Sequence, residues 1–447
     1  MFSARPSPAV EDMFNSDLYT INISDKKITT LVEREGVDTS PKWSPDGKTI
    51  AFVSTDRVQK WVANWFICVV PAAGGTPRNI SRKFDEFISS CTWGVDSRRI
   101  FFSGNQGVTA HLFSVSVDKA EIEQISSGGK TYRNFSFSDD YTKTAFLVSR
   151  PGMPDEVHYS LLRPFNPERI TRTNPQIEQL DLGEMEVIRW QSYDGMDIEG
   201  ILIHPVHEKA GKRYPLLTYV HGGPSSKFGF SFSPQIGGFT QVQAETYPLQ
   251  VFAGRGCAVF LPNPRGSYGY GETFRMANVN DWGGGDYEDI MSGIDHLIEK
   301  GIADPEKLGV MGRSYGGYMT AWIVTQTNRF KAASLGAGMS NLISFYGQTD
   351  IPGYLEYYFG GNPWEKRKEY IERSPITHAM NVATPVMITH GEKDFRVPLP
   401  QAREFYRALK KKEVPVKFII YPNQGHTSHN PRYQRDMLER NLAWFER

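Results

Sequence analysis

A doubly wound, mostly parallel α/β sheet preceded by an all-β region built from repeats is the fold class that this 447-residue sequence predicts. From about residue 183 onward, apolar runs of strand length alternate with amphipathic stretches of helix length, the pattern of a parallel sheet covered by helices on both faces. Before that point an aromatic strand, a Ser-Pro-Asp-Gly type turn and a second strand recur at intervals typical of repeat architectures. The chain is too long for one ordinary core, and the expected division is 1–182 and 183–447.

In the N-terminal part, Trp43-Ser44-Pro45-Asp46-Gly47-Lys48-Thr49-Ile50-Ala51-Phe52 recurs loosely from Trp93 to Phe102 and again from Phe137 to Phe146. A second set, Asp17 to Ile21, Asn64 to Cys68 and Ala110 to Ser114, falls between them. Strand pairs at this period read as β-propeller blades, and about four blade-sized units of ~45 residues fit the region. The expectation is therefore a partial β-propeller, whose open ring leaves strand edges and blade faces uncovered unless a partner chain covers them. The Asp46-Gly47 pair is expected to close a hairpin rather than to bind calcium. The junction is expected near Asp181-Leu182-Gly183-Glu184, ahead of a strand from Glu186 to Trp190.

In the C-terminal part, the apolar run Leu308-Gly309-Val310-Met311 leads into Gly312-Arg313-Ser314-Tyr315-Gly316, and an amphipathic stretch starts at Gly317. Strand, sharp turn and helix in that order are the setting of a serine nucleophile elbow. The pattern alone is weak in a chain with 41 glycines, so its partners decide. Thr384 to Thr389 reads as a buried strand running into His390-Gly391-Glu392-Lys393-Asp394, which sets Asp394 just past a strand end. Val414 to Tyr421 is the next strand, and its exit loop carries His426 ahead of a last helix marked by Leu438, Leu442 and Phe445. A serine hydroxyl is a poor nucleophile until a neutral imidazole takes its proton, and a carboxylate fixes the imidazole's tautomer and stabilises its cation. Ser314, Asp394 and His426 are the candidate nucleophile, acid and base.

Alternatives stand beside these assignments. Glu392 is a second carboxylate near Asp394, which also fits a turn or cap, and His429 is a second imidazole near His426. His221 and His390 close strands and read as loop-structuring residues. An oxyanion needs preorganised donors, the first being the backbone N–H after the nucleophile, at Tyr315. The second is assigned to Gly223, with Gly222 as the fallback, in the His221-Gly222-Gly223-Pro224 loop that follows the strand from Tyr214 to Val220.

The motifs Gly312 to Tyr318, His221-Gly222-Gly223-Pro224, Asn263-Pro264-Arg265-Gly266-Ser267, His390 to Pro398 and Gly425-His426 together resemble the prolyl oligopeptidase family, most of all its acylaminoacyl-peptidase branch with related dipeptidyl peptidases and esterases. The resemblance covers about Ile188 to Arg447. It implies an α/β-hydrolase domain, Ser314, Asp394 and His426 as the triad, and the Tyr315 and Gly223 amides as the oxyanion hole. It further implies a serine peptidase releasing N-acylated or dipeptidyl units from short peptides through an acyl-enzyme, and a homo-oligomer. A carboxylesterase on the same triad and a catalytically silent propeller binding protein are the other readings. The family carries a larger propeller, from which four units depart.

Fifty basic and fifty acidic residues give no net charge, which argues against nucleic-acid and membrane partners. Three widely spaced cysteines, Cys68, Cys91 and Cys257, argue for a reducing compartment. With no apolar run of about 18 residues and no signal-like start, a cytoplasmic location is expected. No metal and no cofactor are expected, since no Cys/His cluster has zinc spacing and Gly47-Lys48-Thr49 lacks the upstream glycine of a P-loop. For the substrate, the aromatic segment holding Phe345, Tyr346, Tyr354, Tyr357, Tyr358 and Phe359 reads either as an apolar pocket or as core, with Phe345 and Tyr346 as pocket candidates. Arg265 fits a substrate carbonyl or carboxylate and a structural ion pair equally. Asp85, Glu86, Glu121 and Glu123 are candidates for holding a free amino terminus, with exposed loop charge the favoured reading.

Overall fold

The computed structural model describes residues 1–58, 60–232, 235–236 and 246–446. The chain divides into two compact units: Met1–Glu178 with the short segments Phe230–Phe232 and Tyr268–Thr273, and Gln179–Gly229, Ser233–Ser267 and Phe274–Arg447. The division falls at 178/179, where the sequence pattern sets 182/183, and the two inserted segments carry no mark in the periodicity.

The first unit is built of antiparallel sheets. A three-stranded sheet (Phe2–Ala4, Asp17–Ile21, Ile28–Val32) is followed by a four-stranded meander (Asp38–Trp43, Thr49–Ser54, Phe66–Pro71, Arg78–Asn79). Two further meanders, Cys91 to Gln124 and Thr131 to Arg169, join into one eight-stranded sheet through a single parallel pair, Ala110 beside Thr131. Strand Thr49–Ser54 is buried on both faces because alternate residues serve different cores. Ile50 and Phe52 pack with Leu18 and Val32, whereas Ala51 and Val53 pack with Ile100, Phe102 and Phe113.

The repeated turn has one chemistry in three places. Asp46 accepts from the N–H of Lys48 (3.0 Å), Asp96 from Arg98 (2.9 Å) and Asp140 from Thr142 (3.0 Å). Each is a side chain mimicking a backbone turn, as the hairpin reading of Asp46-Gly47 requires. The left-handed position belongs to Gly47 (φ 72°), Ser97 (φ 57°) and Tyr141 (φ 54°), so the turn survives without glycine.

The second unit is an eight-stranded sheet: β1 (Met185–Gln191), β2 (Asp197–Ile203), β3 (Tyr214–Val220), β4 (Ala258–Asn263), β5 (Ala303–Arg313), β6 (Phe330–Gly336), β7 (Val386–Gly391) and β8 (Val416–Tyr421). The order is β1-β2-β4-β3-β5-β6-β7-β8, with β2 antiparallel to both neighbours and every pair from β4 to β8 parallel. Every residue of β4 and β7 is buried, as parallel strands with helices on both faces demand. The helices used below are α1 (Leu249–Gly254), α2 (Gly285–Glu299), α3 (Tyr315–Gln326), α4 (Leu342–Tyr346), α5 (Pro352–Phe359), α6 (Pro400–Lys411) and α7 (Pro431–Phe445). Helix α2 buries Ile290, Ile294 and Leu297, and α6 buries Ala402, Phe405 and Leu409.

On α7 the buried face is Met437, Asn441 and Trp444, one position away from the expected Leu438, Leu442 and Phe445. Asn441 sits in the core because its amide is satisfied: it donates to the carbonyls of Thr246 (3.0 Å) and Met437 (2.9 Å) and accepts from the Ser334 hydroxyl (2.5 Å). Among the described residues no helix is long and apolar enough to cross a membrane.

Candidate active site

Strand β5 ends at Arg313 and α3 begins at Tyr315, which leaves one residue to reverse the chain. That residue, Ser314, has φ 59° and ψ −122°, a strained conformation that lifts its side chain above the strand ends. Two glycines make the turn possible. A Cβ at Gly312 would lie 2.2 Å from the carbonyl oxygen of Gly316, and one at Gly316 would lie 2.0 Å from that of Val220 on β3. The turn is therefore closed by backbone touching backbone.

The exit loops of β7 and β8 bring the partners to the same edge. His426 Nε2 is 3.0 Å from Ser314 Oγ, and His426 Nδ1 is 2.8 Å from Asp394 Oδ2. The other Asp394 oxygen accepts from the Val397 N–H at 2.9 Å. Burial works against the Asp394 charge, but the hydrogen bonds from His426 and Val397 outweigh it and hold the carboxyl below its ordinary value. The structure thus brings together the three residues singled out from the sequence. Their rivals lie elsewhere: His429 is exposed, and Glu392, also exposed, accepts from the Asn423 N–H at 2.9 Å.

The loop after β3 faces the nucleophile. A Cβ on Gly222 would come within 3.5 Å of Ser314 Cβ. His221 is buried, and burial pushes its imidazole down to about 4, so it is neutral; its Nδ1–H donates to the Gly222 carbonyl at 2.7 Å. That carbonyl shares a peptide plane with the Gly223 N–H, so one hydrogen bond orients both. From the other side the Tyr354 hydroxyl on α5 donates to the Gly223 carbonyl at 2.5 Å, and Tyr358 Oη lies 3.0 Å from Ser225 Oγ. His390, also buried and pushed down to about 4, bonds the Val397 carbonyl at 2.7 Å and braces the Asp394 loop.

Four assignments need correction. Arg265 is 6 % exposed, and each of its guanidinium nitrogens bonds Asp289 (2.9 and 2.7 Å) or Asp194 (2.8 and 3.1 Å), the arrangement of a structural ion pair. Its motif is a brace: Asn263 bonds the backbone of Phe228 in both directions, and Ser267 Oγ meets His221 Nε2 at 2.9 Å. Phe345 is 1 % exposed and belongs to the core. Tyr346 commits its hydroxyl to Glu356 at 2.5 Å, and the aromatic side chains that reach the Gly223 loop are Tyr354 and Tyr358. Of the carboxylates in the first unit, Glu123 pairs with Arg99 and Arg163, while Glu86 is buried rather than exposed and accepts from the N–H groups of Phe87 (2.8 Å) and Gly269 (2.5 Å). A cleft of about 1570 Å³ near the N-terminal ends of β3, β6, β7 and β8 includes none of Ser314, His426, Asp394, Tyr315 and Gly223. Among the described residues no group of three or more His, Cys, Asp or Glu side chains is placed to hold a metal.

Residues 243–447 match the prolyl oligopeptidase family. The chain is 34 % identical over 368 residues to the uncharacterized peptidase YuxL of Bacillus subtilis, covering 79 % of this chain and 52 % of that one. The chain belongs to the prolyl oligopeptidase family. Among other members, the dipeptidyl-peptidase 5 of Porphyromonas gingivalis is 27 % identical, over 97 % of this chain and 62 % of that protein. The acylaminoacyl peptidase of Pyrococcus horikoshii superposes with a TM-score of 0.84 at 25 % identity, over 99 % of this chain and 68 % of that one. The chain spans between half and two thirds of the length of these curated family relatives.

The two buried histidines and Asp286, a fully buried carboxyl that burial pushes up to about 7, contribute to the acid response with opposite signs. An unfolded chain protonates both imidazoles near pH 6.5, so stability falls as pH drops from about 6.5 to about 4, by about 3 kcal/mol for each. Asp286 acts oppositely. Protonated in the fold but ionised when unfolded between about 4 and 7, it favours the fold at the acid end and loses that contribution as pH rises through 7. Melting temperatures between pH 7 and 5 are therefore expected to fall more steeply for Asp286→Asn than for the unsubstituted protein. Equal slopes would mean that Asp286 is ionised in the fold across that range.

Proposed function

We propose that this chain is a serine peptidase that hydrolyses short peptides, with acylaminoacyl or dipeptidyl substrates, through an acyl-enzyme. The hydrogen-bonded series Ser314 Oγ, His426, Asp394 carries the reading. In acylation the imidazole takes the Ser314 proton as Oγ attacks the carbonyl carbon, and then gives it to the leaving amine. In deacylation the same nitrogen takes a proton from water as the water oxygen attacks the acyl carbon, and returns it to Ser314 Oγ as the acyl–oxygen bond breaks. Asp394 holds the ring's tautomer and stabilises the imidazolium. The N–H groups of Tyr315, in the unpaired first turn of α3, and of Gly223 receive the oxyanion. The family membership of the chain supports the peptidase class over a silent scaffold, and a protein that only bound partners has no need of a strained serine hydrogen-bonded to a histidine.

The test is kcat/KM for a matched set with one type of leaving group: a short-chain ester, an N-acetyl-alanyl anilide and a free-amine dipeptidyl anilide. Turnover of either anilide supports the peptidase reading and names the substrate class. Turnover of the ester alone would convert the assignment to carboxylesterase, since esters need less help for the leaving group than amides. Tyr354→Phe is expected to lower kcat/KM for the preferred substrate about fivefold, the kinetic equivalent of one ordinary hydrogen bond of about 1 kcal/mol. An unchanged value would remove Tyr354 from the oxyanion loop's support.

We infer further that the antiparallel meanders of the first unit are propeller blades. Ile21 and Ile28, paired on the three-stranded sheet and 39 % and 56 % exposed, form the face that an additional blade covers. A hydrophobic dye is expected to bind there and to bind less after Ile28→Ser, and equal binding would count against an open face. The thiols of Cys68, Cys91 and Cys257 are free, which favours a reducing compartment.

A further inference from the structure

Of the buried or half-buried carboxylates around the start of α2, Asp281 and Asp289 have a cation among the described residues, and Asp286 does not. Asp281 pairs with Arg373 at 2.9 Å and Asp289 with Arg265 at 2.7 Å. Asp286, 0 % exposed, has no ion-pair partner among the described residues. Its Oδ1 accepts from the Tyr287 N–H at 2.9 Å, and its Oδ2 accepts from the phenol of Tyr315. A buried carboxyl without a cation is a cost that packing alone does not require, since an apolar side chain would fill the same space. Burial foremost, with Asp281 and Asp289 adding, pushes this carboxyl up to about 7, and the Tyr315 hydrogen bond opposes the shift.

What the carboxyl holds is the residue after the nucleophile. The Tyr315 ring is 1 % exposed, and Trp282 packs edge-on against it with centroids 4.9 Å apart. Trp282 also contacts the rings of Tyr354 and Tyr358, whose hydroxyls reach the loop of Gly223 and Ser225. Tyr315 is the first residue of α3 and directly follows the strained Ser314, so its N–H has no partner within the helix. An oxyanion donor works only within a few tenths of an ångström of its position, and the Tyr315 side chain is the handle by which the fold sets that position.

We propose that Asp286 is a positioning residue of the oxyanion hole, which anchors the Tyr315 phenol so that the Tyr315 backbone N–H stays aimed at the reacting carbonyl. The proposal rests on the serine-peptidase reading above. Asp286 touches no substrate; it acts through Tyr315, and its effect falls on the tetrahedral state rather than on ground-state binding.

The test uses the full chain with Asp286→Ala, Tyr315→Phe and the double substitution. Three quantities are measured: kcat and KM on the preferred substrate, Ki for an acetyl-alanyl trifluoromethyl ketone, whose bound form is a tetrahedral alkoxide, and Ki for the corresponding acetyl-alanyl amide, which forms none. Each single substitution is expected to lower kcat about 10- to 100-fold and to raise the ketone Ki in proportion, with KM and the amide Ki within about threefold. The double substitution is expected to be no worse than Asp286→Ala. The proposal is overturned if kcat and the ketone Ki stay within twofold of the unsubstituted protein, or if ketone and amide Ki rise by the same factor, the mark of a merely structural role. If Asp286→Ala does not fold, Tyr315→Phe decides by the same ratio. A parent protein that turns over none of the substrates and takes up no fluorophosphonate would overturn the peptidase reading itself; a labelled, active parent with indistinguishable variants would overturn the role of Asp286 alone.

Discussion

Replacing Ser314 by alanine is expected to lower kcat on esters and anilides alike by on the order of 10⁶, with the fold intact. Alanine keeps the Cβ and so carries the same backbone strain at φ 59°, which leaves the elbow and its glycine contacts unchanged. Only the oxygen 3.0 Å from His426 Nε2 is removed. His426→Ala is expected to cost about as much, and the double substitution little more, because the nucleophile and its base act as one unit. Asp394→Asn is expected to cost about 10⁴, the loss that follows when the imidazole is held in the wrong tautomer. The check is ester and anilide kinetics on protein whose circular dichroism matches the parent. Activity of Ser314→Ala within tenfold of the parent would show that another residue is the nucleophile.

The second large effect is expected on stability. Arg265→Met leaves the Asp289 carboxylate, 0 % exposed, without its cation. Breaking such a pair from one side costs about 3–5 kcal/mol, and the thermal transition is expected to drop by roughly 10 °C. KM for the remaining folded protein is expected to stay near the parent value, because no guanidinium nitrogen is free for a substrate. A substrate-binding arginine would behave the opposite way, raising KM and leaving the melting temperature alone. Removing the stranded charge as well, with Asp289→Leu, is expected to recover part of the loss.

How much of the site is legible in the sequence depends on how each feature is encoded. The elbow is readable because Gly312 and Gly316 occupy sites where a side chain has no room, so the residue types carry the geometry. Asp394 and His426 are readable because a strand of apolar residues precedes each one. Arg265 is ambiguous because its partners, Asp194 and Asp289, lie on separate elements, and no spacing connects them. Asp286 escapes notice for the same reason: it meets Tyr315 across 29 residues of chain, and only burial distinguishes it from the other acids around it. The aromatic segment offers one usable signal. Tyr354 and Tyr358 are four residues apart on one face of α5, each with a polar tip, whereas proximity to the nucleophile helix points to Phe345 and Tyr346 instead. The face of α7 lies one position from its apolar pattern because Asn441, polar by type, is buried once its amide is fully bonded.

The strand order has a consequence for the protein during its own synthesis. Ser314 leaves β5, and its base arrives 112 residues later, on the loop beyond β8 at the far edge of the sheet. A ribosome-bound chain that has folded up to β7 therefore holds a strained serine and its acid, but nothing to take the serine's proton. Chains halted before β8 are expected to resist a fluorophosphonate that labels the finished protein at once. On the peptidase reading above, the triad is complete only once the last strand of the sheet and its exit loop have been made.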